Sequence, residues 1–315
     1  MNTQRIHVAV LGTGPVANLI TQRIEKRADL DLIATFPSSE TPPQNTDCVL
    51  YLPTSAELAT GTAATRICDL LRAGFDVVST APSAALHHAD LLGACRTGGS
   101  TFHGSGGFQN SLVTRFNRAF STITRNIRQI ELIEELDVEE MPAHPWESPG
   151  DAGFDADDPQ TVQVRASAVE GYYDAGLRTL SEAVFGTALP DEAIAFSATH
   201  VDQNDQPLRS RNRNQDAVEQ VIVRRAIGSQ VIYDSIWTKR HGSTTPLRYH
   251  LNTTSSDAIG HATITFHAQS AVRPTDHLAC MGLLDAIRPV YESAPGILHH
   301  DLEINHVKLN ECLLR

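Results

Sequence analysis

The first third of the chain alternates between short continuous apolar runs and segments whose apolar residues recur every three or four positions. A continuous apolar run bounded by turn residues predicts a buried strand, and the three-to-four spacing predicts an amphipathic helix. Strands alternating with helices of about 10–15 residues predict βαβ units, which right-handed crossovers arrange as a doubly wound parallel sheet. The predicted strands are 7–11, 30–35, 47–52, 74–80 and 101–104, and the predicted helices are 16–26, 63–73 and 84–96.

The pattern changes in the second part of the chain. A long alternating strand at 128–138 is followed by a polar stretch rich in proline and aspartate and by a helix at 171–186. Strands without intervening helices come next, which predicts an antiparallel or mixed sheet. Their ranges are 192–201, 218–225, 231–239, 246–252 and 261–269, and a last helix is predicted at 276–292. We therefore predict an α/β domain at 1–125, an α+β domain at 126–272, and a C-terminal helix and tail at 273–315 that packs back on the first domain.

Composition limits the classes of function that the chain can have. With 315 residues, 41% of them hydrophobic, it can bury a large core, and 37 acidic against 25 basic side chains give a formal net charge of -12. Without clustered lysine and arginine, binding to nucleic acid or to an anionic membrane is not expected. No apolar run approaches the roughly 20 residues of a membrane helix, and no signal-like segment opens the sequence, so we expect a cytoplasmic protein.

A glycine motif follows the first predicted strand. Gly12, Gly14 and Ala17 have the spacing G-x-G-x-x-A at the point where a helix begins. The first glycine permits a tight turn, the second lets a pyrophosphate approach the backbone, and the alanine allows the helix to pack closely on the strand. The motif predicts a dinucleotide site, and the alternative is a glycine turn in a domain that binds no nucleotide. The predicted contacts are Gly12, Thr13, Gly14, Pro15 and Val16.

The end of the second strand bears on which dinucleotide would bind. A site selective for NAD usually has an acidic residue there, which binds the ribose 2′-hydroxyl. This chain has Ser38 and Ser39 instead, and Glu40 comes one position later. Two hydroxyls accept a 2′-phosphate without repulsion, although no arginine or lysine stands beside them. The pattern favours NADP and leaves NAD possible, and the alternative is that the two serines simply form a turn.

Five segments, taken in order, resemble one family of enzymes. They are V-L-G-T-G at 10–14, D-C-V-L-Y-L-P-T at 47–54, D-V-V-S-T at 76–80, H-G-S-G-G-F-Q-N at 103–110 and R-P-V-Y-E-S-A-P-G-I at 288–297. Together they resemble the dihydrodipicolinate reductase-like oxidoreductases, and within them the amine dehydrogenase branch that includes 2,4-diaminopentanoate dehydrogenase. The resemblance implies an N-terminal Rossmann domain, a C-terminal domain that carries much of the pocket for a small-molecule substrate, and a homodimer. It also implies cofactor contacts at Pro53, Thr54, Ser79, Thr80 and Gly104.

Departures from that branch bear on the reaction. The branch carries a glutamate just after the strand that here ends in V-V-S-T, and Pro82 stands at about that position. Proline can neither take a proton nor bind an ammonium ion, so we expect reductive amination with free ammonia to be slow or absent. The resemblance then implies hydride transfer to or from an imine or carbonyl carbon of a small amine- or ketone-type substrate. The alternative is a nucleotide-binding sensor or partner subunit that has lost the catalytic group.

One acidic residue interrupts an apolar face in the second domain. Ile130, Leu132, Leu136 and Val138 alternate along the strand at 128–138, and Glu134 shares their face. A buried carboxylate there would suit proton transfer or the binding of a cationic amine. The alternative is a local bulge, or a strand end, that places Glu134 in solvent.

Two histidines are further candidates for acid–base chemistry. His103 ends the last strand of the first domain, beside the glycine-rich loop, where ligands collect in doubly wound sheets. His144 lies in an otherwise acidic loop, and a neutral imidazole can donate or accept a proton near pH 7. The alternative for His103 is a residue that only packs at the strand end. The alternative for His144 is an exposed residue beside a proline with no role in catalysis.

A metal site is not expected. The pairs His87-His88 and His299-His300 are adjacent, so their side chains point about 100° apart on a helix and lack the spacing of zinc ligands. The five cysteines are widely spaced and form no C-x-x-C motif, which predicts reduced thiols.

Overall fold

The computed structural model describes residues 5–82, 86–110, 126–137, 170–185, 195–201, 219–239, 247–267 and 272–298. The chain divides into two compact units. The first unit comprises residues 1–112 together with 275–315, and the second comprises residues 113–274. The late helix therefore belongs to the first unit, because the chain leaves that unit for the second and then returns to it.

The helices and strands follow one another along the chain in the order that the hydrophobic pattern predicts, with two short additions. In chain order they are β1 (Ile6–Leu11), α1 (Pro15–Ile24), β2 (Leu30–Phe36), β3 (Cys48–Tyr51), α2 (Ser55–Ala59), α3 (Thr62–Arg72), β4 (Asp76–Ser79), α4 (His88–Gly98), β5 (Thr101–Gly104), β6 (Ile127–Asp137), α5 (Glu170–Phe185), β7 (Ala195–Val201), β8 (Glu219–Ile227), β9 (Val231–Lys239), β10 (Leu247–Ser255), β11 (Ile259–Phe266), α6 (Pro274–Glu292) and β12 (Gly296–Ile297). The additions are α2 and β12.

The first unit contains a six-stranded parallel sheet in the order β12-β5-β4-β3-β1-β2. One core lies on the face covered by α1 and α6, and a second core lies on the face covered by α3 and α4. Both faces are covered, which is why the strands are largely apolar rather than alternating. The predicted doubly wound parallel sheet is confirmed, and the strand order reverses between β1 and β3.

The long helix α6 completes the first of these cores. Its buried residues include Cys280, Leu283, Ala286 and Ile287, and they pack in one cluster with residues of β1 and α1. Polar contacts support the packing: the Arg23 Nη2 atom lies 2.8 Å from His277 Nδ1. The helix thus forms part of the core of the parallel-sheet unit, although it follows the second unit in the sequence.

The second unit contains a six-stranded sheet in the order β11-β10-β6-β9-β8-β7. In the described part of this sheet β6 and β9 run parallel and the other neighbouring pairs run antiparallel. Helix α5 buries Tyr173, Leu177 and Leu180. Tyr173 forms a hydrogen bond with Glu134, which lies on the sheet face that also carries Ile130 and Leu132. The predicted mixed sheet is confirmed.

Some bounds differ from the prediction. The helix expected at 84–96 begins at His88 and continues to Gly98, where Gly99 adopts the left-handed conformation that ends many helices. Among the described residues no helix is long and apolar enough to span a membrane. The same residues contain no group of three or more histidine, cysteine, aspartate or glutamate side chains that could hold a metal ion.

Candidate functional site

The predicted cofactor contacts lie at the ends of neighbouring parallel strands. Because these strands run in the same direction, their carboxyl ends form one edge of the sheet, and ligands of doubly wound folds bind there, where the strand order reverses. That point is between β1 and β3. The residues that end these strands or follow them at this edge are Gly12, Thr13, Gly14, Pro15, Val16, Ser38, Ser39, Pro53, Thr54, Ser79, Thr80 and Gly104.

The loop from Gly12 to Pro15, here called the glycine turn, requires its first glycine. Gly12 has a φ of +150°, and a Cβ atom at this position would lie 3.0 Å from Leu52 Cβ and 3.2 Å from the Leu52 carbonyl oxygen. The Gly12 amide donates to the Phe36 carbonyl at 2.9 Å, and the Leu52 amide donates to the Leu11 carbonyl at 2.9 Å. The turn is therefore fixed against both neighbouring strands, and a side chain at Gly12 would force them apart.

The second glycine of the motif leaves the start of α1 open. Gly14 is the N-cap residue of α1, its backbone is extended, and no side chain caps the helix there. Thr13, Gly14 and Pro15 are exposed, and a Cβ atom on Gly14 would meet nothing within 4 Å. The first amides of a helix have no partner within the helix and carry the positive end of its dipole. The glycine turn can therefore receive an anionic group close to the backbone, as a pyrophosphate requires.

The two serines after β2 form a turn, in which the Glu40 amide donates to the Pro37 carbonyl at 3.1 Å. Ser38 is among the groups that lower the pKa of Glu57, a residue of α2.

Glu57 is also held at the start of α2. Its Oε2 atom accepts hydrogen bonds from the Thr54 amide at 2.7 Å and from the Thr54 hydroxyl at 2.9 Å, and its own amide donates to that hydroxyl at 3.2 Å. This reciprocal arrangement is a capping box, and the T-x-x-E spacing at 54–57 is its sequence signal. Burial would raise the pKa of Glu57, but the hydrogen bonds from Thr54, Ser38 and Tyr51 outweigh it and lower the pKa.

The loops after β4 and β5 are closed by their own polar groups. The Ser79 hydroxyl donates to the Tyr51 carbonyl at 2.8 Å and accepts from the Ala81 amide at 3.0 Å. A Cβ atom on Gly106 would lie 1.6 Å from the side-chain nitrogen of Asn110, which donates to the Gly106 carbonyl at 3.1 Å. The hydroxyl of Ser79 thus serves the loop itself, while Thr80 is half-buried and Pro82 is buried.

His103 is a buried residue at the end of β5. Its side chain is 2% exposed, and the Nδ1 atom lies 3.0 Å from the carbonyl oxygen of Leu298. A carbonyl oxygen can only accept, so Nδ1 carries the proton in this contact. The ring is therefore held in one orientation at the carboxyl edge of the sheet. His144, the other histidine candidate, lies outside the described residues.

Glu134 lies on the inner face of the second sheet, and the prediction of its burial is confirmed, with an exposure of 0%. Three tyrosine hydroxyls donate to its carboxylate: Tyr173 to Oε1 at 2.7 Å, and Tyr233 and Tyr249 to Oε2 at 3.0 and 2.9 Å. These four residues are here called the tyrosine cage. They occupy about three of the four acceptor positions of a carboxylate. The alternative that Glu134 faces solvent is wrong.

An arginine stacks on the tyrosine cage. The guanidinium carbon of Arg225 lies 3.8 Å from the ring centroid of Tyr173, a cation–π contact. The same guanidinium donates to Glu170 through Nε at 2.8 Å and Nη2 at 2.6 Å, and to the Ser235 hydroxyl through Nη1 at 3.0 Å. Arg225 is fully buried. Burial raises the pKa of Glu170, although the bonds from Arg225 act in the opposite direction.

The tyrosine cage keeps its hydroxyls protonated. Burial, and after it the charge of Glu134, raises the pKa of Tyr173, Tyr233 and Tyr249 well above the usual range of a tyrosine. Each hydroxyl is therefore a donor at neutral pH. The cage joins α5 to the sheet through side chains that are 39, 99 and 115 positions from Glu134 in the sequence.

Comparisons with known proteins support the fold. No family model matches the sequence, and no curated protein matches it. The structure is similar to an amine dehydrogenase from Mycobacterium smegmatis (TM-score 0.63, 13% identity, covering 93% of this chain and 94% of that chain). It is also similar to a myo-inositol dehydrogenase from Corynebacterium glutamicum (TM-score 0.51, 12% identity, 93% and 90% covered) and to the DAP dehydrogenase of C. glutamicum in complex with DAP (TM-score 0.50, 13% identity, 94% and 92% covered). At these identities the likeness establishes a two-domain α/β fold.

Proposed function

We propose that the chain is a nicotinamide-dependent oxidoreductase. It binds a dinucleotide at the carboxyl edge of the first sheet and moves hydride between the nicotinamide ring and an imine or carbonyl carbon of a small amine- or ketone-type substrate. The observation that carries the proposal is the glycine turn: Gly12 is required by its φ and by Leu52, and Gly14 leaves the start of α1 open. The similarity of the fold to three dehydrogenases supports it.

The residues at the sheet edge fit a dinucleotide. The glycine turn would hold the pyrophosphate through backbone amides, since no side chain blocks the approach at Gly14. Ser38 and Ser39 follow β2, the strand end that receives the adenosine ribose in doubly wound folds. Thr80 and Gly104 follow or end strands on the other side of the reversal point, on the side of the nicotinamide. When bound, the nicotinamide supplies or accepts the hydride, and the protein positions it and excludes water.

Hydride transfer to a C=N or C=O carbon needs a proton donor. Of the three residues proposed as the proton donor, we favour His103, because it lies at the carboxyl edge of the first sheet and its ring is held by the Leu298 carbonyl. Glu134 is enclosed by three hydroxyls, so a substrate would have to displace one of them to reach it. His103→Gln should lower turnover by about 100-fold and leave dinucleotide affinity unchanged if His103 transfers the proton.

Binding of the dinucleotide tests the core of the proposal. NADH and NADPH are titrated into the wild type and into Gly14→Asp, which places bulk and negative charge beside the pyrophosphate. Gly93→Asp is the matched control, because Gly93 is also exposed with open space around its Cβ position but lies in α4. We expect binding to the wild type and to the control, and loss of binding in Gly14→Asp. Equal affinity in all three proteins would contradict the glycine turn as the site.

Turnover separates the oxidoreductase from the alternative. The purified protein is mixed with NADH or NADPH and with ketones, aldehydes and preformed imines, and the loss of the reduced cofactor is followed by absorbance. Steady-state oxidation with at least one carbonyl or imine supports the proposal. Tight binding without turnover over the whole panel would favour a nucleotide-binding sensor or partner subunit. Because Pro82 replaces the usual glutamate, a ketone with free ammonia should react more slowly than a preformed imine.

A further inference from the structure

The segment that follows α6 lies along β5, the strand that carries His103. β12 pairs with β5 in parallel, and Ile297 lies opposite Phe102. The Leu298 amide donates to the Phe102 carbonyl at 2.8 Å, and the Leu298 carbonyl accepts from His103 Nδ1 at 3.0 Å. Leu298 is thus bonded through both of its backbone groups, one to the strand and the other to the imidazole.

The contact with Leu298 determines which nitrogen of His103 can exchange a proton. The carbonyl can only accept, so the proton of the neutral imidazole is on Nδ1, and Nε2 then has a lone pair and no proton. In proteins the hydrogen bond made by one ring nitrogen commonly sets the role of the other in this way. Because Nδ1 carries a proton in the neutral ring and in the imidazolium, the contact is kept when Nε2 gains or loses a proton.

The carbonyl and the ring are both held in place. His103 is 2% exposed, and its backbone lies beside Val78 of β4. Leu298 packs against the core that α6 completes. The segment just before β12 is tied to β5 as well, since the Thr101 hydroxyl donates to the Ala294 carbonyl at 3.2 Å. A carbonyl fixed in this way favours one orientation of the imidazole, as a group that transfers a proton requires.

We propose that the Leu298 backbone carbonyl positions His103 so that Nε2 is the atom that exchanges the proton with the substrate. This inference rests on the proposed function, in which His103 is the proton donor. As hydride reaches the C=O or C=N carbon, the imidazolium gives its Nε2 proton to the substrate oxygen or nitrogen, and the ring is left neutral with its proton on Nδ1. In the reverse direction the neutral Nε2 takes the proton of the hydroxyl or amine group as hydride leaves the carbon. Water restores the starting protonation state between turnovers.

Proline substitutions at two adjacent positions test the contact. Leu298→Pro removes the amide that donates to Phe102 and should displace the carbonyl from His103. Ile297→Pro is the matched control, because β12 is an edge strand and the amide between two that bond to β5 points away from it. On the carbonyl or imine compound that reacts fastest, kcat should fall about 100-fold in Leu298→Pro, with KM and dinucleotide affinity little changed. In Ile297→Pro kcat should stay close to the wild-type value.

A double substitution shows whether Leu298 acts through His103. In a His103→Gln protein, Leu298→Pro should cause no further loss of kcat, because the group that it positions is already absent. A further loss as large as the loss in the wild-type background would mean that Leu298→Pro disturbs the unit in general, and it would overturn the inference.

The tautomer of His103 can be measured without turnover and without any change to β12. In protein labelled with 15N at histidine, the two ring signals of His103 are those missing from His103→Gln. At a pH where the ring is neutral, we expect a protonated Nδ1 and an unprotonated Nε2, with and without bound dinucleotide. A neutral ring with its proton on Nε2 would overturn the inference, even if Leu298→Pro does not fold.

The outcomes distinguish the inference from the proposed function. If the wild type turns over a carbonyl or imine but Leu298→Pro or His103→Gln keeps full kcat, the inference fails and the proposed function stands. If no compound is turned over by a protein that melts cooperatively, the proposed function fails and the inference fails with it, whichever tautomer His103 has.

Discussion

The glycine turn of the first unit and the tyrosine cage of the second are built in opposite ways. The glycine turn presents backbone at an exposed position, and Thr13, Gly14 and Pro15 are all open to solvent. The tyrosine cage presents side chains to one another, and Glu134 is not exposed at all. One arrangement leaves room for a ligand, whereas the other satisfies its polar groups internally. The difference indicates that a buried charge is weaker evidence of a binding site than an exposed turn whose backbone is open to a ligand.

The largest difference in stability should be between variants of two neighbouring arginines. Arg225 is buried against Glu170, whereas Arg224 is 57% exposed and pairs with Asp234 on the other face of the same strand. Arg225→Leu leaves Glu170 without its partner and should cost about 3–5 kcal/mol of unfolding free energy. Arg224→Leu should cost about 0–1 kcal/mol. Urea unfolding measures both. If Arg225→Leu lowered the unfolding free energy as little as Arg224→Leu does, the buried ion pair of Arg225 would add nothing to the stability of the second unit.

Glu134→Gln should have a smaller effect of the same kind. The amide keeps one acceptor oxygen but places an NH2 group where a tyrosine hydroxyl donates, so about 1–3 kcal/mol should be lost. Glu135→Gln, half-buried on the opposite face of β6 and paired with Arg248, is the control and should cost less than about 1 kcal/mol. Dinucleotide affinity should be unchanged in both. A Glu134→Gln protein with wild-type stability but reduced turnover would instead assign Glu134 to catalysis.

Removing one hydroxyl from the tyrosine cage should cost less again. Tyr249→Phe keeps the ring and deletes a 2.9 Å hydrogen bond to Glu134, so about 1 kcal/mol of stability should be lost. Tyr291→Phe, in a half-buried position of α6, is the control. Thermal melting compares the two variants. Equal melting temperatures would show that the remaining two hydroxyls are sufficient for the carboxylate.

The last comparison concerns a carboxylate with fewer donors than Glu134, and its effect depends on pH. Asp76 at the start of β4 accepts the Thr101 amide at 2.7 Å, but burial, opposed by this bond and aided by Asp47, raises its pKa to about 6. Because the folded protein binds this proton more tightly than the unfolded chain, stability from this group is present below about pH 4 and is lost as pH rises through 6. Asp76→Asn should flatten that part of the profile in urea unfolding at several pH values. An unchanged profile would contradict the raised pKa.

The sequence predicts the backbone framework of both units closely. The strand expected at 231–239 has those bounds in the structure, and the alternation along β6 places Glu134 on the buried face. Hydrophobic periodicity records which side of an element is buried, so these features can be read locally. The glycine turn can be predicted for the same reason, because the motif residues Gly14 and Ala17 lie only two and five positions after Gly12.

Contacts between distant residues could not be read in this way. The three hydroxyls around Glu134 come from α5, β9 and β10. The two from β9 and β10 depend on strand register, and the one from α5 depends on how the helix packs on the sheet. The hydrogen bond from the Tyr51 hydroxyl to Glu57 also joins the end of β3 to α2 without a signal in the local spacing. The T-x-x-E spacing signals a helix start at Thr54, but it does not show that the carboxylate also accepts from Tyr51.

The return of α6 to the first unit also sets an order of events during synthesis. Ile20, Ile24 and Leu30 belong to a core that is completed by Leu283 and Ile287, so this apolar face has no cover until the last part of the chain has left the ribosome. Contacts between residues so far apart in the sequence form late and slowly. The second unit, whose residues 113–274 are continuous, can fold while the first is still incomplete. The first unit to be synthesised is thus the last to be finished, and a nascent chain stopped before residue 275 exposes a surface prone to aggregation.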